Sequence, residues 1–168
     1  DSSIFVQRKS PPPTPRFICV GIILLRKGHQ YLFRAFELVK QVMPSAELIC
    51  VGQYKADFRQ ERRLWEGKFT HHRHLSHPEL AALLTQCTAF VLPSLEEGFA
   101  RVISEAMGAG LPIIASHESG ATTLVRDGVE GFIVPPREPR QIADAMIRLA
   151  QDHALNQRMG NAAHERGA

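Results

Sequence analysis

Six short strand-like runs alternate with segments of helical spacing along this chain, and this alternation limits the fold more than any other feature. The runs span residues 17–20, 48–51, 71–75, 89–92, 111–115 and 131–134. Strands buried on both faces of a parallel sheet read as continuous apolar runs, and the intervening helices supply the crossovers between them. The alternation therefore predicts a doubly wound α/β domain with a mostly parallel, six-stranded sheet and helices on both faces.

Length and composition exclude several other classes of protein. At 168 residues the chain is long enough for one well-packed domain and too short for two ordinary ones. Runs without a charged or strongly polar residue, such as 17–25, are far shorter than the ~20 residues of a membrane-spanning helix. We therefore expect no membrane span, although peripheral association with a membrane stays open.

The charge and the cysteines are typical of a cytoplasmic protein. A formal net charge of +3 is compatible with an anionic ligand, and the sequence has no basic block interleaved with aromatic residues that would indicate nucleic-acid binding. Cys19, Cys50 and Cys87 are odd in number and form no CxxC pair. We expect them to be reduced, buried thiols.

The segment before the first strand is rich in proline. Residues 7–16 read QRKSPPPTPR, and consecutive prolines favour an extended chain. The sequence therefore predicts a linker over 1–16 and a folded domain over 17–168. A linker in this position indicates that an N-terminal domain precedes it, and a flexible native terminus is the alternative.

The loop after the first strand carries a candidate phosphate site. Ligands of doubly wound sheets bind beyond the carboxyl ends of the strands. Gly21 allows the chain to leave the sheet tightly, and Arg26 and Lys27 come just before a helix. A phosphate held there would meet two cations and the positive end of the helix dipole. Solvated surface cations are the plain alternative.

Two glutamates mark the segment 90–116, which runs from a strand through a loop into a helix. Glu97 and Glu105 are eight residues apart, which on one continuous helix would leave them about 80° apart. We place Glu97 in the loop before the helix and Glu105 inside the helix. A carboxylate can accept hydrogen bonds from two sugar hydroxyls at once, whereas a helix-surface role for Glu105 is the alternative.

Four segments together resemble the donor domain of glycosyltransferase family 4, whose members are retaining enzymes of GT-B fold. The segments are GxxxxxKG at 21–28, VLPSxxEGF at 91–99, EAMGAGLPIIAS at 105–116 and GVEGFIVPP at 128–136. The resemblance implies that the sheet is the Rossmann-like, nucleotide-sugar-binding half of a GT-B fold. It further implies a transferase that moves a sugar from a UDP-, GDP- or ADP-sugar to a glycan, lipid or small-molecule acceptor.

The same resemblance implies roles for the matching residues. Glu105 would bind the ribose hydroxyls of the donor. Glu97 beside the donor sugar and Lys27 at the diphosphate are the candidate catalytic residues. Backbone amides after Glu97 would meet the diphosphate or the sugar, namely those of Gly98, Phe99 and Ala100. No metal or other cofactor would be needed, because protein cations and a helix N-terminus would stabilise the departing nucleoside diphosphate.

The loop after the third strand would contact the nucleobase. In proteins of this type the contact is made largely through backbone groups, which here would belong to His74, Leu75 and Ser76. The neighbouring run of histidines at 71, 72, 74 and 77 also suggests a metal site. No nearby cysteine or carboxylate completes such a site, so we do not predict one.

Two positions depart from the family pattern. Ile22 stands where the family has an arginine, so one diphosphate-binding cation is missing, and Arg26 could replace it. Ala100 stands where the family has glycine. Because GT-B enzymes hold the acceptor on a second domain, we expect this chain to bind the donor without transferring the sugar.

Other functions stay open or are disfavoured. A nucleotide-sugar 2-epimerase-like GT-B domain and a degenerate, non-catalytic domain are the alternatives, and the second is suggested by Ile22. A dinucleotide oxidoreductase is disfavoured because the sequence contains no GxGxxG motif. Trp65 lies in the polar stretch 53–67, and we expect it to pack against the domain rather than stack on a ligand.

Overall fold

A single six-stranded sheet forms the centre of the domain. The structure is a computed structural model, and it describes residues 4–96 and 101–167. The strands are β1 (Arg16–Val20), β2 (Glu47–Val51), β3 (Thr70–His72), β4 (Ala89–Leu92), β5 (Ile113–Ser116) and β6 (Gly131–Val134). They lie in the order β3-β2-β1-β4-β5-β6, and all their pairings are parallel. The predicted doubly wound architecture is confirmed, with a sheet that is parallel throughout.

Helices connect the strands and cover both faces of the sheet. They are α1 (His29–Val42), α2 (Arg59–Trp65), α3 (His77–Leu84), α4 (Arg101–Gly108), α5 (Pro139–Gln151) and α6 (His153–Gly167). The C-terminal helical region is divided at Asp152, whose carboxylate accepts a hydrogen bond from the Leu155 amide at 2.9 Å. This cap satisfies an otherwise unpaired amide in the first turn of α6.

Alternate residues of the central strands pack into two separate core layers. Phe17 and Cys19 point to the layer that contains α1 and α5, whereas Ile18 points to the layer that contains α3 and α4. All three cysteines are free and buried, as expected from their spacing. Trp65 is only 6% exposed, which confirms its predicted packing role.

The segment expected to be a linker makes close contacts with the domain. Phe5 is buried in the core layer that contains α4, and Arg8 is only 4% exposed. A buried aromatic ring and a buried guanidinium fix this part of the segment in place, whatever its role as a connection. None of the helices in the described part of the chain combines the length and the apolar character needed to cross a lipid bilayer.

Candidate functional site

The loops after β1 and β4 meet at the carboxyl edge of the sheet, where the strand order reverses. The Leu95 amide donates to the Arg26 carbonyl at 2.8 Å. Gly28 has a φ of +73°, and a Cβ on it would stand 2.0 Å from the Pro93 carbonyl oxygen. Only glycine fits this close approach. The two loops therefore form one side of the crevice in which doubly wound proteins bind their ligands.

The loop after β1 is also held against the loop after β2. The Gly21 amide donates to the Val51 carbonyl at 2.8 Å, and the Ile23 amide donates to the Gln53 carbonyl at 2.9 Å. A Cβ on Gly52 would lie 1.9 Å from the Gly21 carbonyl oxygen. The parallel pairing thus continues past the ends of β1 and β2, and Gly21 lies where the chain was predicted to leave the sheet. The close approach of Gly52 to Gly21 was not predicted. Its signal in the sequence was a glycine directly after the apolar run of β2.

Arg26 and Lys27 lie on the short helical turn that precedes α1. Arg26 is exposed and donates to the Glu96 carbonyl at 2.7 Å, which holds its guanidinium toward the loop after β4. Partial burial, followed by the positive charge of Arg26, lowers the pKa of Lys27. The exposed Ile22 adds no charge to this edge. A bound anion would relieve the repulsion between the two cations, which suits this turn to a phosphate group.

The first residues of α1 are buried beneath this turn. The His29 ring is 1% exposed, and its Nε2 lies 3.6 Å from the Cys19 sulfur. Burial lowers the pKa of His29 to about 4, so the imidazole is neutral at physiological pH. The Gln30 amide nitrogen donates to the Leu25 carbonyl at 3.1 Å and supports the turn from below. His29 is therefore a structural residue and does not face a ligand.

A chain of buried serines braces the exits of β4 and β5. The Ser116 hydroxyl donates to the Ser94 carbonyl, and the Ser119 hydroxyl donates to the Ser116 carbonyl at 2.5 Å. All three side chains are fully buried, and the Ser94 hydroxyl has no hydrogen-bond partner among residues 4–96 and 101–167. The serines were not predicted as site residues. Their only sequence signal is that a serine ends or follows each of the two strands.

Glu105 lies on α4, the helix between β4 and β5, to which the family resemblance assigns the ribose contact. Its side chain is half-buried, whereas its helix neighbours Ile103 and Ala106 are fully buried against the sheet. Glu105 is therefore on the partly accessible side of the helix, as its predicted role requires. Four other predicted site residues lie outside the described residues, namely Glu97, Gly98, Phe99 and Ala100.

The loop after β3 lies at the same edge and is exposed in part. His74 is exposed and Leu75 half-buried, while Ser76 caps α3 in a reciprocal hydrogen-bonded box with Glu79. The His71 ring lies 2.7 Å from the Gly52 carbonyl oxygen and packs on Tyr54. Among residues 4–96 and 101–167, no group of three or more His, Cys, Asp or Glu side chains is arranged to hold a metal ion.

A separate cavity of about 610 Å³ lies between α1 and α2. Phe36, Leu48 and Trp65 are among its lining residues, and Leu48 lies near the amino end of β2. The cavity contains none of the predicted site residues. Cavity size alone therefore does not locate the candidate site, which is an open edge completed by loops.

Known proteins resemble this chain in both sequence and structure. A glycogen synthase of Mycobacterium tuberculosis is 31% identical over 96% of the chain, which spans 40% of that relative's length. The solved structure of a sucrose-phosphate synthase from Thermosynechococcus elongatus superposes with a TM-score of 0.88 at 27% identity, over 99% of this chain and 45% of that one.

A more distant structure has the same fold. Anabaena HepE, solved in complex with UDP and glucose, superposes with a TM-score of 0.82 at 22% identity over 99% of this chain and 50% of that one. The family of glycosyl transferases group 1 matches residues 2–166, which include the buried N-terminal segment as well as the sheet. By this match and by its GT-B-type fold, the chain belongs to the glycosyl transferases group 1 family.

Proposed function

We propose that this chain binds the nucleoside diphosphate of an activated sugar at the carboxyl edge of β1 and β4. The observation that carries the proposal is the convergence of Lys27, Arg26 and the loop after β4 where the strand order reverses. Cations, closely packed loop backbone and a helix N-terminus are the groups that stabilise a diphosphate. The chain would act as the donor domain of a retaining glycosyltransferase of family 4.

The proposal assigns a separate role to each of the following residues. Lys27 neutralises the diphosphate, and Arg26 supplies the second positive charge that Ile22 does not provide. The carboxylate of Glu105 accepts hydrogen bonds from the ribose hydroxyls. The loop of His74, Leu75 and Ser76 faces the base through its backbone. Donor binding needs no metal, because these cations take over the charge of the diphosphate.

The residues between β4 and α4 complete the proposal. We assign Glu97 to the donor sugar and the amides of residues 98–100 to the diphosphate or the sugar, following the family resemblance. We expect transfer to require a second domain that holds the acceptor, since the chain spans 40% of the length of the glycogen synthase relative. The chain alone would bind the donor without transferring its sugar.

Calorimetric titration tests the proposal directly. UDP, GDP and ADP would be titrated into the chain in the presence of a chelator, with UDP first because the similar fold of Anabaena HepE was solved with it. We expect one of the three to bind, and Lys27→Gln to weaken that binding by about tenfold or more. Lys40→Gln, at the other end of α1, is the charge-matched control. Failure of all three nucleotides to bind, or equal weakening by both variants, would contradict the proposal.

A further inference from the structure

We infer that Arg8 is a positioning residue that holds α4, and through it Glu105, in register with the sheet. This inference rests on the proposed function for the role of Glu105. Arg8 lies at the amino end of the sheet, in the segment whose sequence suggested only a linker. It does not reach the candidate site, so it can act only through the elements that it contacts.

Arg8 occupies a slot where three elements meet. Its Nη1 donates to the carbonyls of Cys87 and Thr88, just before β4, and its Nε donates to the Gly110 carbonyl at 3.1 Å. Its Nη2 donates to the Asn156 side chain on α6. The guanidinium thus joins the start of β4, the end of α4 and the first half of α6.

Two successive backbone hydrogen bonds connect Arg8, through Ala109, to the backbone carbonyl of Glu105. The Arg8 amide donates to the Ala109 carbonyl at 3.0 Å, and the Ala109 amide donates to the Glu105 carbonyl at 3.1 Å. Carbonyls at the end of a helix have no partner within the helix and carry its negative dipole end. The Arg8 amide and Nε satisfy the Ala109 and Gly110 carbonyls directly after α4, and so hold its last turn, which begins at Glu105.

The surroundings leave this arrangement little freedom. Asn156 is fully buried, and its side-chain nitrogen donates to the Thr88 carbonyl at 3.0 Å and the Leu149 carbonyl at 2.9 Å, so its oxygen is fixed toward Arg8. A Cβ on Gly160 would lie 2.3 Å from the Gly110 carbonyl oxygen, which shows how closely α6 approaches the end of α4. Burial lowers the pKa of Arg8 to about 10, so the guanidinium stays charged at neutral pH.

Removing the guanidinium should therefore loosen α4 specifically. Arg8→Met keeps the backbone bond to Ala109 and an unbranched apolar stem, but it removes the guanidinium donors of the Cys87 and Gly110 carbonyls and of the Asn156 side-chain oxygen. Arg8→Lys keeps the charge but replaces a rigid fork with a single ammonium, so it should restore only part of the effect. Met146→Ala is the matched control, because Met146 is fully buried in the opposite core layer, on α5.

The test combines hydrogen exchange with a pair of nucleotides. In Arg8→Met we expect the α4 amides to exchange faster than in the Met146→Ala control at equal global stability. We also expect the affinity for UDP to fall about tenfold and that for 2′,3′-dideoxy-UDP to change less than about twofold, because only UDP offers hydroxyls to Glu105.

The outcomes separate the two claims. Exchange in α4 that matches the control would overturn the role of Arg8. Where the wild-type chain prefers UDP to its dideoxy analogue, equal losses of affinity for the two nucleotides would overturn it as well. If the wild-type chain bound UDP and its dideoxy analogue equally, the ribose role of Glu105 would be wrong, while faster exchange in Arg8→Met would still show that Arg8 holds α4.

Discussion

Substituting Gly28 with alanine should separate the two loops that form the candidate site. Gly28 has a φ of +73°, and the added Cβ would stand 2.0 Å from the Pro93 oxygen and 2.8 Å from the Pro93 carbonyl carbon. Real Cβ contacts essentially never fall below 3.0 Å. The loops after β1 and β4 must therefore move apart by about 1 Å or more.

The magnitude follows from two separate costs. Alanine in the left-handed region costs about 1 kcal/mol relative to glycine. Separation of the loops also breaks the hydrogen bonds from Leu95 to Arg26 and from Arg26 to Glu96, each worth about 1 kcal/mol. We expect Gly28→Ala to lower the free energy of unfolding by about 3 kcal/mol and the affinity for UDP by about tenfold or more.

A matched control isolates the steric part of this effect. Gly67 has a similar φ of +79°, but a Cβ on it would meet nothing within 4 Å. Gly67→Ala should therefore cost only the backbone strain, about 1 kcal/mol, and leave nucleotide binding unchanged. Urea unfolding and calorimetry of both variants measure the two quantities. Equal destabilisation by both variants, or unchanged UDP affinity in Gly28→Ala, would refute the reasoning.

Three further predictions follow from the charged and titratable groups. Because the folded pKa of His29 is about 4, below its ordinary 6.5, only the unfolded chain takes up that proton as the pH falls. Lowering the pH from 7 to 5 should therefore cost about 2 kcal/mol of stability by urea unfolding, and a loss of the same size in His29→Leu would contradict this. The pKa of Lys27 is lowered, and binding of a diphosphate needs the protonated form of this lysine. The affinity for UDP should therefore fall as the pH rises through the pKa of Lys27, and Lys27→Arg should remove this fall. The same pH profile in Lys27→Arg as in the wild-type chain would speak against a contact between Lys27 and the diphosphate. Glu130 is fully buried, and its carboxylate accepts hydrogen bonds from the backbone amide of Arg126 at 2.7 Å and from the Nε of Arg126 at 3.0 Å. Glu130→Gln should lower stability by about 2 kcal/mol in thermal unfolding, whereas Glu118→Gln on the exposed surface should have no effect; equal melting temperatures would contradict this.

The fold was predictable because its evidence is local. Each buried strand is a short apolar run that ends near a glycine, proline or serine, so alternation alone identified the parallel sheet. The boundary between α5 and α6 was harder to predict, because apolar residues recur at helical spacing in both helices. The division at Asp152 depends on a single capping contact with Leu155. Element boundaries were therefore less predictable than the elements themselves.

The site was predictable only where a single residue carries the signal. Gly21, Arg26 and Lys27 were recognised as candidates from the first loop, and the structure places all three between β1 and α1, with Arg26 bonded to the loop after β4. The bracing groups depend on contacts between distant parts of the chain. Arg8 and Asn156 are 148 residues apart, and no local pattern predicts their contact. The roles of residues 97–100 stay predictions, since those residues lie outside the described part of the chain.

Amide spectra of the ¹⁵N-labelled chain during separate titrations with UDP, GDP and ADP, in the presence of a chelator, test the central claim most directly. The account predicts that the amides shifted by the nucleotide that binds belong to the loops after β1 and β4, including Lys27, Gly28 and Ser94. It also predicts that Phe36 and Trp65, beside the separate cavity, keep their positions. Shifts confined to that cavity, or no shifts at all, would contradict a nucleotide-binding role for this edge of the sheet.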